Sequence, residues 1–245
     1  MNLVIDIGNT RAKLYTFDGS TIADKTYSDS NTLAELDGLS ERFKYKKAII
    51  SSVASIGTEA EQRLKAMPVP LTYLDDSTKL PVDIVYRKPG SSEGIPMPVG
   101  MGADRIAAIV AAKMMQPNTP LLIVDAGTCI TYEFIDGEGY YMGGNIAPGI
   151  GIRAKGMHEH TALLPLIDCY GETPIMGYDT ETAMRCGVMH GVKYEIEGYI
   201  KQWSKHFPNL TVFMTGGDGM TFDADIKDRI HIEPDLVAKG LNYIL

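Results

Sequence analysis

The sequence predicts an α/β fold built from two related halves, and three observations support this prediction. An apolar strand that ends in Asp-x-Gly with a threonine close behind occurs at residues 3–10 and again at residues 121–128. Between the two copies, stretches typical of strands alternate with stretches typical of helices. The length, 245 residues, suffices for two small domains. Because a duplicated domain leaves such a long-period repeat, we expect both halves to fold alike.

The elements of the first half follow from apolar runs and turn residues. A buried strand at residues 3–5 leads through the Asp6 to Thr10 turn into a strand at 12–17, and Asp18-Gly19 turns the chain into a third strand at 21–23. The further predicted elements are a helix at 32–43, a strand at 48–52, a helix at 59–65, a long exposed loop at 81–102 and a helix at 104–115.

The second half repeats the opening of the first. The predicted strands are residues 121–124, 130–135, 140–142 and 211–214, and the predicted helices are 150–158, 180–206 and 235–245. The last of these strands is stopped by Thr215-Gly216-Gly217, a glycine-rich turn where backbone could pack flat against an adenosine. Taken singly this turn is a weak signal, because Gly-Gly commonly ends a strand.

Composition excludes several classes of protein. The chain carries 23 basic and 31 acidic residues, a net charge of −8, which argues against a general nucleic-acid binder. No apolar run approaches the roughly 18 to 20 residues needed to span a bilayer, and no signal peptide is recognisable at the N-terminus. Three widely spaced cysteines without a C-x-x-C pair predict reduced thiols in a cytosolic protein and argue against a zinc site.

The two Asp-x-Gly turns are candidate phosphate-binding elements. In the first, Gly8 permits close backbone approach, Asn9 and Thr10 offer hydrogen bonds, and Lys13 offers a positive charge. An aspartate such as Asp6 would repel phosphates unless a cation intervened, so the combination indicates Mg²⁺ with a nucleotide. One such turn alone is better interpreted as an ordinary hairpin. Its recurrence in a duplicated fold favours two turns that hold a nucleotide from both sides of a cleft.

A second candidate is the run Gly102-Ala103-Asp104-Arg105 at the start of a predicted helix. The simplest interpretation makes Asp104 a helix N-cap. The functional interpretation makes Asp104 a general base toward a hydroxyl nucleophile, with Arg105 binding a carboxylate or phosphate. A helix N-terminus weakens a carboxylate as a base, but in a loose phosphoryl-transfer transition state the orientation of the nucleophile matters more than early deprotonation.

With these motifs identified, the chain resembles the type III pantothenate kinases of the acetate and sugar kinase, Hsc70 and actin superfamily. The resemblance covers nearly the whole chain. The matching pieces are residues 6–10 with Lys13, 51–53, 102–105, 125–128, 143–149, 161–165, 180–184, 215–217 and 236–241. Each piece is short, but their order and spacing together are specific.

The resemblance implies two duplicated ribonuclease H-like (actin-like ATPase) domains, residues 1–115 and 116–245, with a nucleotide cleft between them. It implies transfer of the ATP γ-phosphoryl group to the terminal hydroxyl of pantothenate, the first step of coenzyme A synthesis. Mg²⁺ and a monovalent cation, K⁺ or NH₄⁺, are the implied cofactors, and a homodimer is the implied assembly.

The resemblance also implies roles for individual residues. Asp104 is the expected proton acceptor, Asp125 the expected ligand of the monovalent cation, and Thr180 an expected substrate contact contributed by the neighbouring subunit. The expected ATP-binding residues are Asp6, Ile7, Gly8, Asn9, Thr10, Arg11, Ala12, Lys13 and Thr128. The expected pantothenate site is lined by Gly102, Ala103, Asp104 and Arg105.

One departure from the family pattern concerns the substrate. Relatives commonly carry a pantothenate-contacting tyrosine seven residues before Gly102 and an asparagine close behind, whereas this chain has Ile95 and Met97. Tyr86 lies upstream in the same loop and is a candidate replacement, a structural role being the alternative. Two other functions therefore stay open: a related kinase acting on another small hydroxy acid, and a nucleotide-binding regulator without turnover. The presence of Asp104 argues against the regulator.

Overall fold

The computed structural model describes residues 1–8, 11–88, 90–91, 93–96, 100–217 and 224–245. The chain forms two compact units. The first comprises residues 1–86, 94–117 and 235–245, and the second comprises residues 87–93 and 118–234. After residue 117 the chain passes from the first unit into the second, close to the boundary after residue 115 expected from the sequence. Residues 235–245 were expected in the second domain but belong to the first unit.

The first unit is built on a five-stranded sheet in the order β3-β2-β1-β4-β5. Its strands are β1 (Asn2–Ile7), β2 (Ala12–Asp18), β3 (Thr21–Ser28), β4 (Lys47–Ser52) and β5 (Leu71–Tyr73). The first three form an antiparallel meander, and β4 and β5 extend the sheet in parallel with β1. The parallel connections pass through α1 (Glu35–Arg42) and α2 (Thr58–Ala66).

Apolar burial holds these elements together. Alternate residues of β1, among them Leu3 and Ile5, pack with Leu36, Leu39 and Leu64 of the two helices in one core. The strand buries both of its faces, which explains why it has an apolar run rather than an alternating pattern.

Two further helices complete the first unit: α3 (Ala103–Met115) and α7 (Leu236–Ile244). They pack closely, because a Cβ atom on Gly240 would lie 1.9 Å from the carbonyl oxygen of Ala107. The start of α7 is fixed to the sheet by Asp235, whose carboxylate accepts a hydrogen bond from Tyr15 at 2.9 Å and pairs with Lys25. These contacts place the last helix with the first unit, although it follows the second unit in sequence.

The segment predicted as a long loop contains a short hairpin. Strands β6 (Val85–Tyr86) and β7 (Ile95–Pro96) pair in antiparallel fashion. Two-residue strands produce no readable periodicity, so the prediction missed them.

The second unit repeats the strand order of the first, with β10-β9-β8-β11-β12 as neighbours. Its strands are β8 (Leu121–Ala126), β9 (Cys129–Ile135), β10 (Tyr141–Pro148), β11 (Thr211–Gly216) and β12 (Ile230–Ile232). Its helices are α4 (Ile150–Glu159), α5 (Thr180–His206) and α6 (Ala224–Lys227). The repeat in the sequence thus corresponds to a repeat in topology.

Helix α5 supplies much of the second core. Val188, Val192, Ile196 and Ile200 recur at helical spacing and pack against the apolar side chains of the sheet. Near the end of the helix, Trp203 stacks on Phe134 with ring centroids 4.1 Å apart. The predicted bounds of this helix are confirmed. The short elements β5, β12 and α6 were not predicted.

Across the part of the chain that the structure describes, none of the helices combines the length and the apolar character needed to cross a membrane.

Candidate active site

Asp6 lies on β1, the middle strand of the sheet in the first unit. It is the fifth residue of β1, directly opposite Lys13 in β2 and Ser51 in β4. The Lys13 Nζ atom lies 3.9 Å from the Asp6 carboxylate, whose side chain is only 13% exposed. A carboxylate and an ammonium group are thus held side by side at the end of the strand, where the sequence predicts phosphate binding.

The pKa of Asp6 is raised to about 6: burial raises it most, the charge of Lys13 lowers it, and the negative charge of Asp104 raises it. Asp104 acts on Asp6 although 98 positions separate them in the sequence. The structure therefore brings together two acidic residues that the sequence predicts as parts of one site. Two neighbouring carboxylates favour a bound cation, because a cation offsets the repulsion between their negative charges.

The turn after β1 is closed by backbone hydrogen bonds. The Gly8 N–H donates to the Arg11 carbonyl at 3.2 Å, and a Cβ atom at Gly8 would lie 3.3 Å from the same oxygen. The Arg11 guanidinium lies over the Tyr27 ring, 4.1 Å from its centroid. Ile7 and Ala12 are buried and anchor the two ends of the turn. Asn9 and Thr10, which the sequence predicts to bind ATP, lie outside the described residues.

Asp104 lies in the first turn of α3, but the N-cap interpretation of this residue is wrong. Gly102 is the N-cap, Ala103 begins the helix, and Asp104 follows. The Asp104 Oδ1 atom accepts a hydrogen bond from the N–H of Arg105 at 2.8 Å, and a Cβ atom on Gly102 would lie 2.6 Å from it. Glycine at 102 therefore leaves room for this carboxylate beside the helix N-terminus, where the helix dipole stabilises a negative charge.

Sequence reasoning missed Asp76, which forms hydrogen bonds to the segment directly before α3. Both of its carboxylate oxygens accept from the N–H of Gly100, at 3.1 and 3.2 Å. Gly100 has a φ of +83°, a conformation that favours glycine. The contact orders the backbone two residues before the Gly102 cap. No motif marks Asp76, because an exposed aspartate in a polar turn is common.

Tyr86 lies directly opposite Ile95 in the β6–β7 hairpin. Side chains at opposite positions of an antiparallel pair lie on the same face. Tyr86 therefore lies beside the residue that replaces the family's tyrosine, and Ile95 itself is 49% exposed. Met97, the other departure from the pattern, lies outside the described residues.

In the second unit, Asp125 occupies the fifth position of β8. It lies opposite Thr131 in β9 and Thr215 in β11. In the following turn, the carbonyl of Thr128 accepts from the N–H of Gly149 at 3.1 Å. A Cβ atom on Gly149 would lie 2.2 Å from the Gly127 oxygen, so only glycine permits this approach. The turn that carries Thr128 is thus held against the start of α4.

Thr180 is the first residue of α5 and is exposed. The preceding Asp179 caps the helix by accepting from the Thr182 N–H at 2.8 Å. The segment between α4 and α5, residues 160–179, exposes many large apolar side chains. They are Leu163, Leu166, Tyr170, Ile175, Met176 and Tyr178, each at least 65% exposed.

Clusters of three or more His, Cys, Asp or Glu side chains able to hold a metal ion do not occur among the described residues.

Comparison with solved structures identifies the class of fold. A protein from Campylobacter jejuni, assigned to the Baf family of transcriptional activators, superimposes with a TM-score of 0.58 at 23% identity, over 99% of this chain and 96% of its own. A Sinorhizobium meliloti protein assigned as a 2-dehydro-3-deoxygalactonokinase gives a TM-score of 0.57 at 13% identity, over 100% and 98%. These likenesses over the full length of each chain confirm the predicted α/β fold in two units.

Sequence comparison then identifies the family. The family model described as type III pantothenate kinase matches residues 2–202. A type III pantothenate kinase from Bacteroides fragilis is 44% identical over 245 residues, which cover 100% of this chain and 97% of the relative. This chain belongs to the type III pantothenate kinase family.

Proposed function

We propose that the protein transfers the γ-phosphoryl group of ATP to the terminal hydroxyl of pantothenate, the first step of coenzyme A biosynthesis. Membership of the type III pantothenate kinase family over the whole chain carries this proposal. The proximity of Asp6 and Asp104 in the first unit supports it, since phosphoryl transfer requires a positioned nucleophile and a held phosphate. The three free cysteines fit a cytoplasmic location.

Asp104 accepts the proton of the substrate hydroxyl in this proposal. Its carboxylate accepts a hydrogen bond from the Arg105 N–H at the N-terminus of α3 and is thereby held in place. It orients the hydroxyl toward the phosphorus and takes the proton as the bond to phosphorus forms. Arg105 pairs with the carboxylate of pantothenate, and Gly102 and Ala103 line the same site without bulky side chains.

The ATP phosphates bind at the turn after β1. Lys13 neutralises phosphate charge, and glycine at position 8 lets the backbone of the turn approach the phosphates closely. We assign ATP binding to Asp6, Ile7, Gly8, Asn9, Thr10, Arg11, Ala12 and Lys13, and also to Thr128 of the second unit.

Asp6 fits a magnesium ion. Its carboxylate supplies hard oxygen ligands, and the neighbouring charge of Asp104 favours a cation there. Bound Mg²⁺ would neutralise charge on the transferring phosphoryl group. Asp125, flanked by two threonine positions rather than by a lysine, fits a weakly held monovalent cation, K⁺ or NH₄⁺.

The pantothenate end of the site is where a second candidate function arises. Ile95 replaces the family's tyrosine, which favours a kinase for a different small hydroxy acid. Tyr86, directly opposite Ile95, supplies an aromatic hydroxyl at the same place. We therefore retain pantothenate as the substrate and expect Tyr86→Phe to raise the KM for pantothenate with little effect on the KM for ATP.

We further propose a homodimer in which Thr180 acts on the partner's substrate. The exposed apolar side chains of residues 160–179 lie directly before Thr180 in the chain, and such a patch is typical of an interface. A mixture of Asp104→Asn and Thr180→Ala proteins tests this. In a mixed dimer one site would combine an intact Asp104 with an intact Thr180, so random exchange should restore about a quarter of the wild-type activity. An absence of recovery would show that Thr180 does not act across an interface.

The reaction itself is tested by ADP release with ATP, Mg²⁺ and pantothenate, in potassium and in sodium buffer. We expect pantothenate-dependent turnover that Asp104→Asn lowers by about 10²- to 10⁴-fold. Asp18→Asn, an exposed carboxylate at the end of β2, serves as the matched control and should be fully active. A folded wild-type protein that phosphorylates a different hydroxy acid but not pantothenate would favour the second candidate.

A further inference from the structure

An open cavity of about 430 Å³ in the second unit has no role in the proposed reaction. It is lined by Lys201, Ser204, Lys205, Ile226 and Arg229. Three of these five residues are cationic. The volume falls within the range of small-molecule pockets, roughly 300 to 1,000 Å³.

Within the second unit, the cavity lies away from Asp125, the residue assigned to the monovalent cation. Arg229 directly precedes β12, whose first residue pairs with Val212 near the beginning of β11. Asp125 pairs with Thr215 near the other end of the same strand. Val212 and Thr215 are three residues apart, which is roughly 10 Å along β11. The cavity therefore lies at the end of the sheet where its parallel strands begin.

The lining residues come from different elements but converge. Lys201, Ser204 and Lys205 lie three and four positions apart on α5, so they share one face of the helix. Arg229 approaches from the turn between α6 and β12, and its guanidinium is held there by donation to the Pro208 carbonyl. A serine of α5 and an arginine held by a hydrogen bond thus both line the cavity.

The local charge is positive although the chain as a whole is acidic. Glu197, almost fully buried, forms ion pairs with Lys193 at 3.6 Å and with Lys201 at 3.9 Å. Lys205 donates to the neutral Gln202. Exposed Lys227 and Asp228 offset one another beside Arg229. Such a cluster attracts anions that a chain of net charge −8 otherwise repels.

A purely structural explanation covers only part of the cluster. Lysines in the last turns of a helix stabilise its C-terminal dipole, which accounts for Lys201 and Lys205. It does not account for Ser204, whose buried Oγ atom has no hydrogen-bond partner among the described residues. A buried hydroxyl without a partner is uncommon and calls for a ligand or water.

We propose that this cavity, the α5–Arg229 cavity, binds a small phosphate-bearing anion. Arg229 and the two lysines supply charge-assisted hydrogen bonds to phosphate oxygens, and the Ser204 side chain rotates from its buried position so that its hydroxyl donates to the anion as well. Phosphate esters fit better than carboxylates because their three oxygens can engage several donors at once.

The test uses the full-length ¹⁵N-labelled protein titrated with inorganic phosphate and with pyrophosphate, followed by amide NMR. We expect saturable shifts of the Ser204, Lys205 and Arg229 amides, separate from shifts at Gly8 and Lys13. Acetate at equal ionic strength controls for a general charge effect. Shifts that are absent, that do not saturate, or that acetate reproduces would overturn the proposal.

Two variants separate binding from structure. Ser204→Ala should leave thermal stability unchanged or raised, because alanine favours helix and the hydroxyl has no partner in the described part of the chain. It should nevertheless weaken pyrophosphate binding about three- to tenfold. Lys205→Gln should weaken binding similarly. Lys155→Gln, an exposed lysine of α4 paired with Glu159, is the matched control and should bind normally. Unchanged affinity in both Ser204→Ala and Lys205→Gln would overturn the assignment.

Discussion

The two units of this kinase share one sheet topology but place different side chains around equivalent aspartates. Asp6 and Asp125 each occupy the fifth of six positions in the central strand of their sheets. Asp6 lies opposite a lysine and a serine, whereas Asp125 lies opposite two threonines. The duplicated fold thus repeats the carboxylate, while the neighbouring strands decide whether a fixed positive charge accompanies it.

A second difference concerns the strand beyond each aspartate. The last residue of β4 is Ser52, and the equivalent last residue of β11 is Gly216. Gly216 has a φ of +106°, and a Cβ atom there would lie 2.1 Å from the Ala126 oxygen. The first unit tolerates a side chain at this position and the second does not. Equivalent positions in a duplicated fold can therefore be under quite different steric constraints.

The largest effect is expected from exchanging these two residues. Gly216→Ser should lower the free energy of unfolding by about 3 kcal/mol, because it adds backbone strain and a steric clash. Ser52→Gly, the matched change in the first unit, should cost about 1 kcal/mol. Urea denaturation of both variants measures the difference. Equal losses would show that the two strand ends are equally constrained.

The next largest effect concerns the charge beside each aspartate. Lys13→Ala should lower kcat/KM for ATP roughly 30- to 150-fold, equivalent to about 2 to 3 kcal/mol for a lost charge-assisted contact. Thr131→Ala, the matched change opposite Asp125, should alter kcat/KM by about twofold at saturating potassium. Steady-state kinetics at varied ATP concentration measure kcat/KM for both variants. A comparable loss in both variants would contradict the proposed asymmetry.

The raised pKa of Asp6 predicts a pH-dependent stability. A carboxyl whose pKa rises from 3.8 in the unfolded chain to about 6 in the folded protein binds its proton more tightly when folded, so its stabilising effect is present below pH 3.8 and is lost as the pH rises through 6. Asp6→Asn removes this loss. The variant should therefore gain about 1 to 3 kcal/mol relative to wild type at pH 8 and little near pH 4.

Denaturant unfolding at both pH values measures this gain, with Asp18→Asn as a control whose stability should change by under about 0.5 kcal/mol. A pH-independent difference between wild type and Asp6→Asn would contradict the effect of burial on Asp6. The same variant should lose ATP turnover, so stability and function would change in opposite directions.

The smallest effect is expected at Asp125. Asp125→Asn should abolish the advantage of potassium over sodium, a difference of about 1 kcal/mol or roughly fivefold in rate for a partly exposed ion contact. Turnover in sodium should change little. Rates measured in both buffers at saturating ATP provide the test. An unchanged potassium effect would remove Asp125 from the monovalent cation site.

Much of the fold was predictable from local pattern. The repeated strand and Asp-x-Gly turn identified the duplication, and helical periodicity gave the bounds of α5. The short strands β5 and β12 were missed, since three residues carry no readable period and pair only because a neighbouring strand offers its edge. Among the residues proposed for function, motifs marked Asp6, Asp104 and Asp125, but no motif marked Asp76, which contacts the backbone of Gly100.

The sequence by itself determined which side chains carry charge and where strands give way to turns, because these depend on residue type and near neighbours. The tertiary structure alone decided which of them meet. Asp104 raises the pKa of Asp6 because α3 begins beside the end of β1, and α7 joins the first unit because Asp235 finds Tyr15 and Lys25 there. Such contacts join positions about 100 or more residues apart, and chain packing rather than local preference brings them together.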